Sequence, residues 1–178
     1  DHPQDVAEAE AHGIRPIDLL CVNLYPFGAT VAAHGDDRDA CVEMIDVGGP
    51  AMVRAAAKNH SHVAVVTSPR HYDALLALLR EGGGTLPEAR AAELAAEAFA
   101  VTAAYDAAIF RYLSGAAGLP PVWAAGGSLL QERRYGVNPG QRAACYLAAE
   151  GFWSHARQLQ GKELSFNNIL DLAAALRI

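Results

Sequence analysis

The sequence predicts an α/β fold in which short buried strands alternate with helices. Two runs, residues 17–22 and 62–67, have the length and apolar composition of strands buried in a parallel sheet. Helical patterns lie between and after these runs, an order typical of a parallel sheet covered by helices. The chain has 178 residues, of which 52% are hydrophobic, so it can bury a core.

The elements before residue 48 are predicted from composition and spacing. Residues 4–12 are rich in Ala and Glu and predict a short helix. The first strand, 17–22, ends at Asn23, and residues that follow such a strand commonly line a site. A second short helix is predicted over residues 38–45.

A glycine pair opens the next predicted helix. Gly48 and Gly49 permit close backbone approach, Pro50 suits a first helical position, and the alanine-rich residues that follow favour helix. The unpaired N–H groups at this end would attract a carbonyl oxygen, a carboxylate or a phosphate. Asp46 stands just ahead, which indicates a polar site. Taken alone, the pattern fits an ordinary helix after a glycine turn better than it fits a binding site.

The elements after the second strand follow proline and glycine signals. Pro69 is predicted to open a helix that continues to about residue 80, and Pro87 to open a long helix. The long helix has apolar residues at helical spacing, namely Leu94, Ala98, Val101, Tyr105, Ile109 and Tyr112. Gly, Ala and Pro dominate residues 114–128, which predicts a linker. A strand at 143–147 and a final helix from about residue 167 follow.

Charge and cysteine content exclude several classes of protein. The net charge is −6, with 14 Lys and Arg scattered among 20 Asp and Glu, so nucleic acid is not an expected partner. Three widely spaced cysteines without a CxxC pair argue against a disulfide scaffold and fit a reducing cytoplasm. Neither a signal peptide nor a membrane-spanning run is expected. His60 and His62 share a strand face without a third ligand at metal spacing, so no metal site is expected.

Five separated motifs in a fixed order carry a resemblance to a known family. They are VNLYPF at 22–27, IDVGGPAMVRAAAKNH at 45–60, AFAVTAAYDAAI at 98–109, RYGVNPGQ at 134–141 and QLQGKELSFNNILD at 158–171. The chain resembles the bifunctional purine-biosynthesis enzymes that join IMP cyclohydrolase to AICAR transformylase. Because the motifs span nearly the whole chain, this resemblance is far more specific than one glycine motif.

The resemblance implies how the chain is divided. Residues 1–118 would be the later part of the cyclohydrolase domain, a three-layer α/β domain like methylglyoxal synthase with a parallel sheet. Residues 119–128 would be a linker, and residues 129–178 would open the α/β transformylase domain, which is like cytidine deaminase. The chain would be an internal fragment without the family's phosphate-binding loop, second cyclohydrolase lysine, transformylase Lys-His pair and folate site. It is therefore expected to be deficient in both reactions on its own.

The resemblance also implies the last two steps of de novo purine biosynthesis. The transformylase moves a formyl group from 10-formyltetrahydrofolate to AICAR, and the cyclohydrolase closes formyl-AICAR to IMP with loss of water, using no cofactor or metal. The expected partners are these purine nucleotides and a second copy of the chain in a cytoplasmic homodimer, with neither nucleic acid nor membrane. The alternatives are a noncatalytic nucleotide-binding regulatory module of methylglyoxal-synthase type, and a structural piece that docks on a partner subunit.

Matching motifs carry the cyclohydrolase site onto this sequence. The resemblance makes Tyr25 and Lys58 groups that handle protons or charge, with Asp46 orienting Lys58 or the substrate amide. The substrate contacts expected beside them are Asn23, Gly48 and Gly49. Backbone N–H groups of the glycine pair would stabilise the oxygen on which charge develops. From the residues alone, Tyr25 also fits a core position beside Phe27, and Asp46 a helix or turn cap.

A second group of residues is assigned to the transformylase. The resemblance implies that Arg134 and Tyr135 recognise AICAR, since a guanidinium binds phosphate and an aromatic ring stacks on a base. Asn168 matches a residue that contacts the same substrate. The family's usual motif is RYGENPHQ, whereas this chain has Val137 for Glu and Gly140 for His.

Overall fold

The computed structural model describes residues 2–115, 121–133, 135–138, 140–147 and 152–176. The chain divides into two compact units, Asp1–Pro120 and Pro121–Ile178. Each unit is described by itself below.

The first unit is a mixed α/β structure. Its elements are helix α1 (Pro3–Ala11), strand β1 (Leu19–Cys21), α2 (Phe27–His34), α3 (Arg38–Glu43), α4 (Gly48–Lys58), β2 (Ala64–Val66), a 3-10 turn (Pro69–His71), α5 (Tyr72–Glu81) and α6 (Glu88–Ser114). Strands β1 and β2 pair in parallel, with Leu19 opposite Ala64 and Cys21 opposite Val66. The α/β class and the parallel pairing predicted from the two apolar runs are confirmed.

The core of the first unit lies where α4 and α6 pack on β2. Its buried members come from these three elements and are Val53, Ala56, Ala57, Val65, Ala95 and Ala98. Alanine at most helical contact positions allows the two helix backbones to approach the strand closely. Apart from this aliphatic core, an aromatic cluster joins α2 to α6. The buried ring of Phe27 meets Tyr105 edge-on at 6.2 Å and Tyr112 at 5.7 Å between centroids.

Four local predictions differ from the structure. Each predicted six-residue strand pairs over only three residues. Helix α2 was not predicted, because its eight residues have no amphipathic period and Pro26 and Phe27 were interpreted as part of a site loop. Helix α4 begins at Gly48 rather than near Pro50, so the glycine pair forms its first turn instead of preceding it. The helix predicted from Pro69 is a 3-10 turn followed by α5.

The second unit contains a hairpin and two helices. Strand β3 (Ser128–Arg133) pairs antiparallel with β4 (Ala143–Leu147), and helices α7 (Phe152–His155) and α8 (Phe166–Ala175) follow. The predictions of β4 and α8 are confirmed. Strand β3 was missed, because its first residue was assigned to the linker and its mixed sequence does not alternate between apolar and polar residues.

Candidate active site at the start of helix α4

Asp46 connects the segment after β1 to the first turn of α4. Its Oδ1 atom accepts a hydrogen bond from the Gly49 N–H at 2.7 Å, and its Oδ2 atom accepts one from the Tyr25 N–H at 3.3 Å. The first bond caps the helix, because it satisfies an N–H that has no partner within the helix itself. The second bond attaches Tyr25 to the same helix start. The structure therefore brings together Tyr25, Asp46 and the glycine pair, which span 24 positions of sequence from Tyr25 to Gly49.

The backbone at Asp46 is held in turn by a tyrosine from α6. The Tyr105 hydroxyl accepts a hydrogen bond from the Asp46 N–H at 2.8 Å and donates one to the Met44 carbonyl at 3.0 Å. Burial raises the pKa of Tyr105 above its ordinary value of 10.0, so the phenol remains protonated and able to donate. Sequence reasoning placed Tyr105 only on the apolar face of a helix. Its hydroxyl was no distinguishing signal, because Tyr112 on the same apolar face has one as well.

Gly49 is required at its position by space rather than by backbone conformation. Its φ angle is not positive, yet a Cβ atom built on it would lie 2.9 Å from the Asp46 carboxylate carbon and closer still to Oδ2. Gly48 differs, because a Cβ atom there would meet nothing within 4 Å. The close approach of the Asp46 carboxylate to the helix start thus depends on Gly49 alone.

Several groups at this site face solvent. The Tyr25 side chain is 55% exposed, so it does not fill the core beside Phe27 as one interpretation of the sequence suggested. Asn23 is also exposed and follows the carboxyl end of β1. Gly48 is exposed and is the first residue of α4, so its N–H is one that the hydrogen bonds of the helix do not use. A phenol, an amide side chain and one backbone donor are therefore available to a ligand.

Lys58 lies away from this cluster. It is the last residue of α4, ten residues after Gly48, which at 1.5 Å per residue separates the two along the axis by about 15 Å. A lysine side chain is shorter than this separation. Within this chain, Asp46 therefore orients the backbone amides of Tyr25 and Gly49 rather than Lys58.

A cleft opens at the opposite edge of the sheet. It encloses about 730 Å³ and is lined by the first residues of both strands, Leu19 and Ala64, together with His60 and Ser61. His60 follows Lys58 by two residues, so the lysine lies toward this edge. The His60 Nδ1 atom is 3.1 Å from the Ala57 carbonyl, a contact that caps the end of α4.

The described residues contain no metal-binding cluster, disulfide or membrane-spanning helix. No group of three or more His, Cys, Asp or Glu side chains there could hold a metal ion. The cysteines Cys21, Cys41 and Cys145 are free thiols. No helix in the ranges described above is both long enough and apolar enough to cross a bilayer.

The second unit contains a turn that includes Gly136, Asn138, Gly140 and Gln141. Gln141 closes it, because its carbonyl accepts from Gly136 N–H at 2.9 Å and its Oε1 atom accepts from Asn138 N–H at 2.9 Å. Gly140 has φ of +88°, a conformation that glycine adopts without the steric cost of a side chain. Tyr135 is 38% exposed beside this turn. Arg134, the other residue assigned to AICAR recognition, lies outside the described residues.

Asn168 has a structural role at the start of α8. Its Oδ1 atom accepts from the Ser165 N–H at 3.1 Å, while the Ser165 hydroxyl accepts from the Asn168 N–H at 3.2 Å. These reciprocal bonds form a capping box. The cap explains why α8 begins at Phe166. Nearby, Arg133 donates to the Leu164 carbonyl at 3.3 Å and lies 3.7 Å from the Glu163 carboxylate.

The first unit has the features of an α/β protein that binds a small molecule. Exposed polar groups gather beyond the carboxyl end of a parallel strand, next to a helix N-terminus, which is where α/β proteins bind small molecules. A family model described as AICARFT/IMPCHase bienzyme matches residues 56–178. The chain belongs to this family.

Relatives and a solved structure agree with the family match. A bifunctional purine biosynthesis protein PurH from Synechocystis sp. is 50% identical and covers 100% of this chain. Proteins of the same name from Jannaschia sp. and Parvibaculum lavamentivorans are each 51% identical, also over 100% of this chain. A structure titled "Crystal structure of ForH" matches with a TM-score of 0.54 and 40% identity, covering 67% of this chain and 61% of that one. The chain spans about a third of the length of these curated relatives, between 34% and 35%.

Proposed function

We propose that this chain serves the last two steps of de novo purine biosynthesis. One step transfers a formyl group from 10-formyltetrahydrofolate to AICAR, and the other closes formyl-AICAR to IMP. Support comes from membership of the AICARFT/IMPCHase bienzyme family and from PurH relatives about 50% identical across the whole chain. The observation that carries the ring-closure step is the Asp46 carboxylate, which joins Tyr25 to the start of α4.

The domain assignment is part of the proposal. Residues 1–118 are assigned to the cyclohydrolase, with a fold like methylglyoxal synthase. Residues 119–128 are assigned to a linker, and residues 129–178 to the start of a transformylase domain like cytidine deaminase. The parallel pairing of β1 and β2 is compatible with the first fold.

Ring closure makes specific demands that this site can meet. The carboxamide nitrogen attacks the formyl carbon, so a C–N bond forms and the carbonyl electron pair moves onto the formyl oxygen. The carboxamide nitrogen and the formamide nitrogen each lose one proton, and the formyl oxygen takes up two and departs as water. As this C–O bond breaks, a C=N bond forms between the former formyl carbon and the formamide nitrogen. An exposed Gly48 N–H can donate to the oxygen as charge develops, and the Tyr25 phenol can pass a proton. Asn23 can contact the carboxamide.

Gly49 and Lys58, the two remaining residues assigned to the cyclohydrolase, have different proposed roles. Gly49 donates its N–H to Asp46, so its proposed role is to admit the carboxylate close to the helix, which leaves Gly48 to contact the substrate. Lys58 is proposed as a charged catalytic group because it matches the family motif. Its distance from Asp46 means that it does not share the Tyr25 cluster within one copy of this chain.

The transformylase assignments and the partners complete the proposal. Tyr135 and Arg134 are proposed to bind the AICAR base and phosphate, and Asn168 to contact the same nucleotide through the side-chain atoms that the capping box does not use. The whole protein is proposed to act as a cytoplasmic homodimer. Its partners are purine nucleotides and the formyl-folate cosubstrate, without nucleic acid or membrane, and the cyclohydrolase step takes no cofactor.

The same Asp46 bonds also fit the noncatalytic alternative. Both carboxylate oxygens of Asp46 already accept hydrogen bonds from backbone amides. A regulatory module that binds a nucleotide at the helix start would need the same bonds without any chemistry. Binding and turnover must therefore be measured separately.

The test measures IMP formation and nucleotide binding in the same preparations. The protein is this chain with whatever flanking sequence its gene encodes. Tyr25→Phe should lower kcat by roughly 10²- to 10⁴-fold, the range for losing a general acid or base. Tyr72→Phe is the matched control, since Tyr72 is 38% exposed at the start of α5 and should keep full activity.

The outcomes separate the hypotheses. IMP binding without ring closure in the unmodified protein would contradict the enzyme and favour the regulatory module. Unchanged turnover in a folded Lys58→Ala variant would exclude Lys58 from the reaction and leave the Tyr25 assignment standing.

A further inference from the structure

Tyr105 and Tyr112 make similar contacts, but their hydroxyls have different second partners. Both side chains project from α6 onto the buried ring of Phe27, edge-on at 6.2 Å and 5.7 Å. Both hydroxyls donate to a backbone carbonyl, Tyr105 to Met44 at 3.0 Å and Tyr112 to Gly35 at 3.2 Å. Tyr105 also accepts a bond from the Asp46 N–H at 2.8 Å, whereas the second hydrogen-bond contact of the Tyr112 hydroxyl is with the Cys41 side chain. Tyr105 therefore has a contact with the candidate site that its neighbour lacks.

The Tyr105 hydroxyl bridges two ends of one short segment. It binds the carbonyl of Met44 and the N–H of Asp46, which lie on either side of Ile45 between α3 and α4. Those two hydrogen bonds fix the position of the Asp46 backbone relative to α6. The carboxylate must then reach Gly49 N–H at 2.7 Å and Tyr25 N–H at 3.3 Å from that position. A small shift of the segment would lengthen both bonds.

We propose that Tyr105 is a positioning residue for ring closure: its hydroxyl sets the segment from Met44 to Asp46 so that the Asp46 carboxylate can fasten Tyr25 to the start of α4. The inference rests on the proposed function, because it assigns a role in the same site. Tyr105 touches no substrate in this scheme. It acts through Asp46, 59 residues earlier in the chain.

Burial of the Tyr105 phenol is consistent with this role. The side chain is partly buried between α6 and the segment before α4, and burial raises its pKa above the ordinary value of 10.0. The phenol therefore keeps its proton to a higher pH than an ordinary tyrosine does. The hydroxyl can donate to Met44 and accept from Asp46 at the same time.

The test compares Tyr105→Phe with Tyr112→Phe in this chain together with any flanking sequence that its gene encodes. Each change removes one hydroxyl and keeps the ring on Phe27. For Tyr105→Phe, we expect kcat for IMP formation to fall by about 10- to 100-fold, the scale of a misplaced catalytic group, with a much smaller change in KM. For Tyr112→Phe, we expect kcat within about twofold of the unmodified protein. Amide hydrogen exchange at Gly49 and Tyr25 should accelerate only in Tyr105→Phe.

Asp46→Asn separates this inference from the proposed function. If Asp46→Asn keeps full activity, the proposed site itself is wrong. If Asp46→Asn is impaired while Tyr105→Phe behaves like Tyr112→Phe, the positioning role alone is overturned. The double variant should be no slower than Asp46→Asn, because Tyr105 acts through Asp46. Loss of the helical signal in Tyr105→Phe would also overturn the inference, since the hydroxyl would then support the whole fold.

Discussion

Replacing Gly49 with alanine should destabilise the first unit, although alanine is the better helix former. The new Cβ would lie 2.9 Å from the Asp46 carboxylate carbon, so the carboxylate must move away from the helix start. Two hydrogen bonds are then lost, those from Gly49 N–H and Tyr25 N–H. At the low end for bonds to a charged group, each contributes about 1.5 kcal/mol. The gain from helix propensity is about 1 kcal/mol, so a net loss of about 2 kcal/mol remains.

Gly48→Ala is the matched control for this prediction. A Cβ atom at Gly48 meets nothing within 4 Å, and neither Asp46 bond involves Gly48. The same substitution one residue earlier should therefore leave stability unchanged or raise it by up to about 1 kcal/mol. The two variants differ only in which of the adjacent glycines carries the new Cβ atom. Gly49→Ala should lower the free energy of unfolding, whereas Gly48→Ala should not.

Urea unfolding followed by circular dichroism at 222 nm measures the difference. Most helical residues belong to the first unit, so this signal reports mainly on it. Both tryptophans, Trp123 and Trp153, lie in the second unit, so their fluorescence provides an internal reference. Asp46→Ala should abolish the penalty of Gly49→Ala, because the clashing carboxylate is gone. A Gly49→Ala protein as stable as Gly48→Ala would refute the steric argument.

Two further predictions concern a cap and a carboxylate. Ser165→Ala removes the hydroxyl that caps α8 and should destabilise the second unit by about 1 kcal/mol. The loss is measured as a lower midpoint of urea unfolding followed by Trp fluorescence. An unchanged midpoint would mean that the capping box contributes no stability. Burial raises the pKa of Glu97, but hydrogen bonds from His71 and Arg70 outweigh it and hold the pKa below the ordinary value of 4.5. The stabilisation from Glu97 is therefore present above pH 4.5 and is lost as pH falls through and below that value. Unfolding measured from pH 6 down to about pH 3 should show a shallower loss of stability for Glu97→Gln, whereas Glu93→Gln, whose side chain is 66% exposed, should keep the original slope. Identical slopes for all three proteins would contradict this assignment.

Local signals predicted most helices and the two paired strands of the first unit. The alanine-rich run after Pro50 predicts α4, and the period from Leu94 to Tyr112 predicts α6, because helix periodicity depends on neighbours within one or two turns. Strand β3 was missed because no local pattern marks it. It pairs antiparallel with β4, and its sequence carries no alternation by which to recognise it.

The sequence by itself determined the family, the α/β class and the presence of an acid and a glycine pair beside a helix start, but not the residue at which α4 begins. It also left two interpretations open for Asp46, a cap or a site residue, and the structure makes it a cap that simultaneously binds Tyr25. The structure decided that Lys58 lies at the far end of α4, and only its tertiary packing decided that Tyr105 reaches Asp46. The first follows from where α4 begins, which fixes a separation of about 15 Å through the helical rise. The second is a contact across 59 residues, and such contacts depend on how α6 packs rather than on any local pattern.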